Sequence, residues 1–176
     1  DVQVTPAATT GNMVQRLVHS MLAVRKGGPE CSTEIVPDVA KGWKWLDDQT
    51  FEITIAEGIK FHDKPPVNGR ELTAEDVAFS LKRFVDNNPR AVPLKEGIAS
   101  IIAVDKYRVV TRTNRPMPNL ETDEYIGARQ AFYIVAPESG GPSGNWGDPA
   151  KSSIGTGPFM FDEWRPGVKI SLKKNP

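Results

Sequence analysis

Residues 72–84 of the chain, LTAEDVAFSLKRF, contain the clearest helix signal in the sequence. Thr73 is a residue type that caps helix N-termini. Glu75 and Asp76 follow it and place negative charge in the first turn, where the helix dipole favours acids. The stretch therefore predicts a helix that begins directly after Thr73.

The same stretch has one apolar face. Val77, Leu81 and Phe84 recur at helical spacing, so their side chains lie on one side of the helix. Pro89 restricts the residue before it to extended backbone, which favours an end near residues 85–86. The sequence predicts an amphipathic helix that covers a core with this face.

Alternating apolar and polar residues on both sides of the helix predict two antiparallel hairpins. The first covers residues 43–56, with a turn at Asp47-Asp48. The second pairs residues 98–104 with residues 107–113. Period-2 alternation is typical of strands with one buried face, so both hairpins are expected to pack against the helix.

The rest of the chain predicts shorter elements. They are an amphipathic helix from the cap-type residues 9–12 to about Val24, a short helix at 119–126, a strand at 131–135, a loop at 137–153, and two strands flanking the turn Arg165-Pro166-Gly167.

Composition excludes several classes of protein. The 176 residues carry 22 Lys and Arg against 22 Asp and Glu, a balance that argues against a nucleic-acid or anionic-membrane binder. Hydrophobic residues are 39%, which indicates a globular domain, and no apolar run is long enough to span a membrane. Cys31 is the single cysteine, so the chain can form neither an intrachain disulfide nor a four-cysteine zinc site. Because the sequence begins at Asp1 and stops after a strand-like run, we expect a fragment of a longer protein.

Residues with catalytic or metal-binding chemistry do not form a recognisable motif. His62-Asp63 lacks a second histidine at ligand spacing, so a solvated loop is favoured over a metal site. Asp47-Asp48 is typical of a turn, because sequence neighbours in a strand point to opposite sides. The serines at 143, 152 and 153 and Cys31 lack the context of a nucleophile.

Gly155-Thr156-Gly157 resembles the start of a dinucleotide fingerprint, but the third glycine and the following helix are missing. The two glycines instead indicate a tight backbone passage next to another element or a ligand. The four tryptophans, Trp43, Trp45, Trp146 and Trp164, fit core or hairpin anchors, with cleft lining as the alternative.

Two blocks of sequence resemble the family 5 extracellular solute-binding proteins, the peptide- and nickel-type receptors of ABC importers. The first block contains VPDVAKGW (36–43), TFEITI (50–55), GIKFHD (58–63) and LTAEDVAFSLKR (72–83). The second contains IGTGPF (154–159), Phe161, Trp164, Pro166-Gly167 and ISLKKNP (170–176). These motifs occur in the family's order and at its spacing.

The resemblance implies a mixed α/β (α+β) fold, the first lobe of a periplasmic-binding-protein-like (type II) receptor with β-hairpins and a few helices. Residues 1–20 would begin this lobe, residues 21–135 would form an inserted hairpin and helix subdomain, and residues 136–176 would return to the lobe. The second lobe would be absent from this chain.

The function implied by the resemblance is capture of oligopeptides or a related small solute outside the cytoplasm by closure of two lobes, and delivery to ABC permease subunits. The location would be the periplasm or the cell surface, with a lipid anchor upstream left open. Such a receptor is expected to be a monomer without catalytic residues, metal, cofactor or nucleic-acid partner.

The resemblance also assigns ligand-facing segments. These are Ala8, Thr9 and Thr10 before the first helix, the rim loop 89–95 with Pro89 and Arg90, and the crossover Gly155, Thr156 and Gly157. The alternative is that the glycines only relieve crowding and the threonines only cap a helix. Lys64 stands where the family usually has glycine, and residues 65–71 extend that loop, which leaves the ligand open.

Two other classes of function compete with a receptor. A secreted hydrolase would use Asp47, Asp48, His62 or Asp63, and it predicts turnover and a cleft with two carboxylates of shifted pKa. A structural or protein-interaction domain predicts a large exposed apolar patch.

Overall fold

The computed structural model describes residues 9–27, 34–121, 125–126, 132–140, 152–165 and 167–176. The helices and strands in these ranges are α1 (Thr9–Val18), β1 (Ala23–Arg25), β2 (Ile35–Pro37), β3 (Ala40–Asp47), β4 (Thr50–Ile55), α2 (Ala74–Asn87), α3 (Val92–Gly97), β5 (Ile98–Ala103), β6 (Arg108–Thr113), β7 (Phe159–Arg165) and β8 (Lys169–Lys174). Short 3₁₀ turns occupy Pro89–Ala91, Pro118–Glu121 and Pro137–Gly140.

The described strands form three antiparallel sheets. The largest has the order β3-β4-β6-β5, and the other two are the pairs β1-β2 and β7-β8. Both central hairpins predicted from alternation are confirmed, as is the hairpin β7-β8 around residues 165–167.

The alternation in β4 decides which face of the large sheet is buried. Phe51, Ile53 and Ile55 are at most 1% exposed and belong to the core. Trp43 and Trp45 lie opposite Ile53 and Phe51 on β3 and pack half-buried against the same core. These two tryptophans therefore anchor the hairpin, whereas Trp164 on β7 is exposed and Trp146 lies outside the described residues.

Helix α2 covers this sheet by packing on β5 and β6. It begins after Thr73, as predicted, and Asp76 accepts the Thr73 backbone N–H at 2.9 Å. Val77, Leu81 and Phe84 are buried, which confirms the predicted apolar face. The helix ends at Asn87, one turn short of α3, a short helix that the sequence analysis missed.

Arg70 ties the loop before α2 to the later part of the chain. Its guanidinium donates two hydrogen bonds to Asp76, at 2.6 and 2.8 Å, and two to Glu138, both at 2.8 Å. It also lies 5.0 Å from the centre of the Phe61 ring. Only arginine has the planar fork for two bidentate contacts, so this one side chain fixes the 3₁₀ turn 137–140 against the start of α2.

The predicted extent of the first helix is wrong at both ends. Helix α1 begins at Thr9, so the cap-type residues lie inside it, and it ends at Val18 rather than near Val24. Residues 23–25 instead pair with β2, and Val39 N–H bonds to Met21 O at 3.1 Å. These long-range backbone bonds replace the helical bonds that local spacing favoured.

The strand predicted at 131–135 is also wrong for its described residues. Residues 132–136 are buried but have no regular structure. The Ile134 N–H bonds to Ser20 O at 3.0 Å, and the Val135 N–H bonds to Ser80 Oγ at 3.0 Å. The backbone N–H groups of this segment therefore bond to individual residues of different elements, and not to a neighbouring strand as the alternation predicted. The helix predicted at 119–126 reduces, among its described residues, to the 3₁₀ turn at Pro118–Glu121.

Nothing in this architecture tests the predicted division into residues 1–20, 21–135 and 136–176, which stays a prediction. Among the described residues, none of the helices has the length and hydropathy needed to cross a membrane.

Replacement of Asp76 by Asn tests the Arg70 cluster. Asp76 is 2% exposed and serves both Arg70 and the helix start, so Asp76→Asn is expected to lower the free energy of unfolding by about 2–4 kcal/mol. Urea denaturation measures this loss. The matched control is Glu75→Gln in the same turn, which is exposed and should change stability by less than about 0.5 kcal/mol. Equal effects of the two substitutions would contradict this account.

Candidate functional site

The crossover at residues 155–157 passes against the C-terminal end of α1. A Cβ atom added to Gly155 would lie 2.1 Å from Val18 O and 2.8 Å from His19 Cα. One added to Gly157 would lie 2.6 Å from Leu17 O. The Gly157 N–H donates to Val18 O at 2.9 Å, so the two backbones are in direct contact. The tight passage predicted for these glycines is confirmed, and another element of the chain occupies the space.

His62 holds the crossover from the other side. Its backbone N–H bonds to Gly155 O at 2.9 Å, and its ring Nε2 lies 2.9 Å from Gly157 O, where only an Nε2–H can donate. Nδ1 is then free to accept the Gly155 N–H at 3.3 Å. The side chain is 1% exposed, so the solvated loop expected for His62 is wrong. Burial lowers the pKa of His62, against the opposing effect of the Gly157 bond, so the ring is a neutral structural residue.

His19 is the second buried histidine of this junction. Nδ1 lies 3.3 Å from Ile134 O and must donate to that carbonyl, which leaves Nε2 as an acceptor. Complete burial lowers the pKa of His19 to about 4, against the opposing effect of the Ile134 bond. The ring is therefore neutral at ordinary pH, with one lone pair available.

Three buried polar atoms near this junction have no hydrogen-bond partner among the residues that the structure describes. They are Gln15 Oε1, His19 Nε2 and Thr156 Oγ1. Gln15 and His19 are one helical turn apart, and the His19 N–H bonds to Gln15 O at 2.7 Å. Thr156 lies between the two glycines that contact residues 17–19. Two of the three atoms can only accept, so the junction has unused acceptor capacity. We define Gln15, His19, His62 and residues 155–157 as the crossover junction.

The structure brings two of the three predicted ligand-facing segments to one helix. Thr9 and Thr10 form the first turn of α1, and residues 155–157 contact its opposite end, while Ala8 lies outside the described residues. Pro89 is exposed and Arg90 follows it in the 3₁₀ turn that packs on α2 and α3. Whether any of these residues contacts a ligand stays a prediction.

Sequence reasoning missed the two histidines and Gln15 as parts of this junction. The available signal was that His19 and His62 are the only histidines in the chain, but their partners lie 115 and 95 residues away in sequence. Within the described ranges, no three His, Cys, Asp or Glu side chains are grouped so that they could hold a metal ion, and Cys31 lies outside those ranges.

The family model of bacterial extracellular solute-binding proteins, family 5 Middle, matches residues 34–176, and the chain belongs to this family. Di/tripeptide-binding protein 1 of Pseudomonas aeruginosa is 28% identical over 81% of this chain and 29% of its own length. The probable D,D-dipeptide-binding periplasmic protein DdpA of Escherichia coli is 30% identical over 92% of this chain and 30% of its own length. Both names describe binding proteins.

Solved structures give the same fold. The dipeptide-binding protein of Pseudoalteromonas sp. SM9913, solved with Met-Leu, superposes with a TM-score of 0.83 at 22% identity, over 99% of this chain and 37% of its own. The predicted fold class, a mixed α/β periplasmic-binding-protein-like (type II) lobe, is thereby confirmed. The chain spans about a third of the length of the proteins it matches.

Alanine at the two crossover glycines tests the backbone contact. Gly155→Ala and Gly157→Ala each force a Cβ into backbone atoms that cannot rotate away, so each is expected to cost about 3 kcal/mol of stability. Gly42→Ala is the control, because nothing lies within 4 Å of its Cβ position and its cost should stay below about 1 kcal/mol. Thermal or urea unfolding compares the three variants, and losses of the same size at all three positions would refute the close contact.

The buried histidines predict a pH dependence of stability. Both have a folded pKa below 6.5, so the unfolded chain takes up their protons first as the pH falls. Stability is therefore full above about pH 6.5 and declines below it, by roughly 2 kcal/mol between pH 7 and pH 5 from His19 alone. Urea denaturation at several pH values measures the slope. His19→Asn, which keeps a donor for Ile134 O, should flatten it, and an unchanged slope would contradict the assignment.

Proposed function

We propose that this chain is the early part of a two-lobe receptor that captures oligopeptides, or a related small solute, outside the cytoplasm and delivers it to an ABC permease. The observation that carries this proposal is the family match over residues 34–176. The peptide class of ligand is supported by the names of relatives in two organisms, which are a di/tripeptide-binding protein and a probable D,D-dipeptide-binding protein. The receptor acts as a monomer in the periplasm or at the cell surface.

The crossover junction is the part of this lobe that we assign to ligand binding. The resemblance matches residues 155–157 to the crossover where the chain re-enters the first lobe, and it includes this segment among those expected to face the ligand. Thr156 is half-buried and its hydroxyl has no partner in the described part of the chain. A buried hydroxyl without a partner costs free energy, which a bound ligand or an ordered water can recover.

Two other unpartnered atoms of the crossover junction indicate which ligand groups would suit it. His19 Nε2 and Gln15 Oε1 accept but do not donate. Peptides carry backbone N–H groups and a terminal ammonium, and either can donate to such atoms. The lone pairs of His19 Nε2 and Gln15 Oε1 would repel an anionic group, so these two atoms favour a donor over an anion.

The hydrolase alternative receives no support from the residues it would use. Both ring nitrogens of His62 are engaged with the crossover backbone, so the ring is not available as a general base. Asp47 accepts the Gln49 N–H at 2.8 Å, and this bond lowers the pKa of Asp47, the opposite of what a general acid needs. The contacts of His62 and Asp47 fit a protein that binds its ligand without catalysing a reaction on it.

Replacement of Thr156 by Val separates ligand binding from folding. The substitution removes only the unpartnered hydroxyl, so stability should be unchanged or slightly higher, while peptide affinity should fall roughly three- to tenfold. The measurement is calorimetric titration, with a pool of di- to pentapeptides, of a receptor in which this chain is joined to a second lobe. Thr54→Val, on the partly exposed side of β4, is the matched control and should leave the affinity unchanged.

The outcomes of this titration distinguish the competing functions. Saturation by peptides together with weaker binding by Thr156→Val supports the proposal. Absence of any peptide response in the two-lobe protein would remove peptides as the ligand class. Hydrolysis of the pool would replace the receptor by the enzyme.

A further inference from the structure

A groove of about 450 Å³ opens at the tip of the β3-β4 hairpin. None of its lining residues belongs to the crossover junction. Trp45, Asp47 and Asp48 line it from the hairpin, and Pro116, Met117 and Pro118 line it from the segment after β6. Its volume is within the range of small-molecule sites.

The walls of the groove are held in place by contacts from several elements. The Trp45 ring packs against Phe51 with 4.9 Å between ring centres. Met117 is 5% exposed, and its sulfur fills the space beside Gly97, where an added Cβ would lie 2.1 Å away. The Thr113 N–H bonds to Gln49 O at 2.9 Å and joins the two sides of the groove. The groove is therefore built into the fold and needs no rearrangement to form.

The charges at the groove favour a cation. Asp47 is fixed by the Gln49 N–H, and its lowered pKa keeps it ionised. Asp48 is exposed, and within the described part of the chain it has neither a hydrogen bond nor an ion pair of its own. Arg112, opposite Thr50 on β6, acts on Asp47.

Two prolines line the remaining wall of the groove. Pro116 and Pro118 have no backbone N–H, so this side contributes carbonyl oxygens and apolar ring surface. Trp45 has the type of aromatic face that attracts cations most strongly. An aromatic face beside two carboxylates is the chemistry that recognises a guanidinium or an alkylammonium group.

We propose that this groove is a second binding site, separate from the crossover junction, for an organic cation such as a guanidinium or alkylammonium group. The cation stacks on Trp45 and pairs with Asp48, while its aliphatic part lies against Met117 and the two prolines. This proposal does not depend on the proposed transport function, because it rests only on the groove.

Calorimetric titration of the chain at low salt with Nα-acetyl-arginine amide tests the site. Nα-acetyl-citrulline amide is the neutral probe of nearly the same shape. We expect saturable one-to-one binding of the arginine derivative, roughly three- to tenfold tighter than that of the citrulline derivative, and a similar loss in Asp48→Asn. Asp86→Asn, an exposed aspartate at the end of α2, is the control and should bind like the unmodified chain.

Further outcomes are equally decisive. Equal affinity for both probes, or an Asp48→Asn variant that binds as well as the unmodified chain, would overturn the proposal. Trp45→Leu keeps an apolar side chain but removes the aromatic face, and should weaken only the arginine derivative. An arginine-containing tetrapeptide that binds more tightly than the single residue would identify a peptide as the source of the cation, whereas equal affinity would identify a free small molecule.

Discussion

The contact between residues 155–157 and the end of α1 is made by backbone atoms, and the rest of the junction depends on it. Only glycine fits at positions 155 and 157, because any Cβ would overlap the carbonyl oxygen of Val18 or Leu17. This close approach is what brings the Gly157 N–H to Val18 O and the two glycine backbones to the ring of His62. The two backbones can approach this closely because both residues lack a side chain, and this approach positions the polar groups of the candidate site.

A second polar cluster holds the later chain to the large sheet's helix. Arg70 bonds to Asp76 at the start of α2 and to Glu138 in the turn 137–140. Asp76 also stabilises the helix start through Thr73, so one carboxylate serves local and long-range structure together. Burial of such a charge is tolerated because every oxygen has a partner.

The spacing of apolar residues along the chain predicted the elements that are stabilised by contacts between residues close in sequence. The spacing of Val77, Leu81 and Phe84 predicts helix α2, because these side chains share one buried face of the helix. The alternation around Ile53 predicts its hairpin, because the strand that pairs with it is the neighbouring one in sequence. The end of α1 and residues 132–136 could not be predicted in this way. Their backbone groups bond to residues far away in the chain, and such bonds override helical or strand spacing.

The candidate site shows the same division. The Gly-x-Gly spacing indicated a tight passage, and the structure contains one, but the sequence could not identify α1 and His62 as the elements that it touches. The adjacent Asp63 is a poor guide to the His62 ring, which bonds across the fold.

These distances along the chain also bear on the order in which the molecule assembles. The three hairpins join strands that are consecutive or nearly so, whereas the His62–Gly157 and His19–Ile134 bonds close loops of 95 and 115 residues. Closing long loops costs chain entropy before it gains contact energy, so we expect the hairpins to precede the junction during folding. Interactions that form after the transition state act mainly on the unfolding rate, and the crossover therefore governs how long the folded lobe persists rather than how fast it appears.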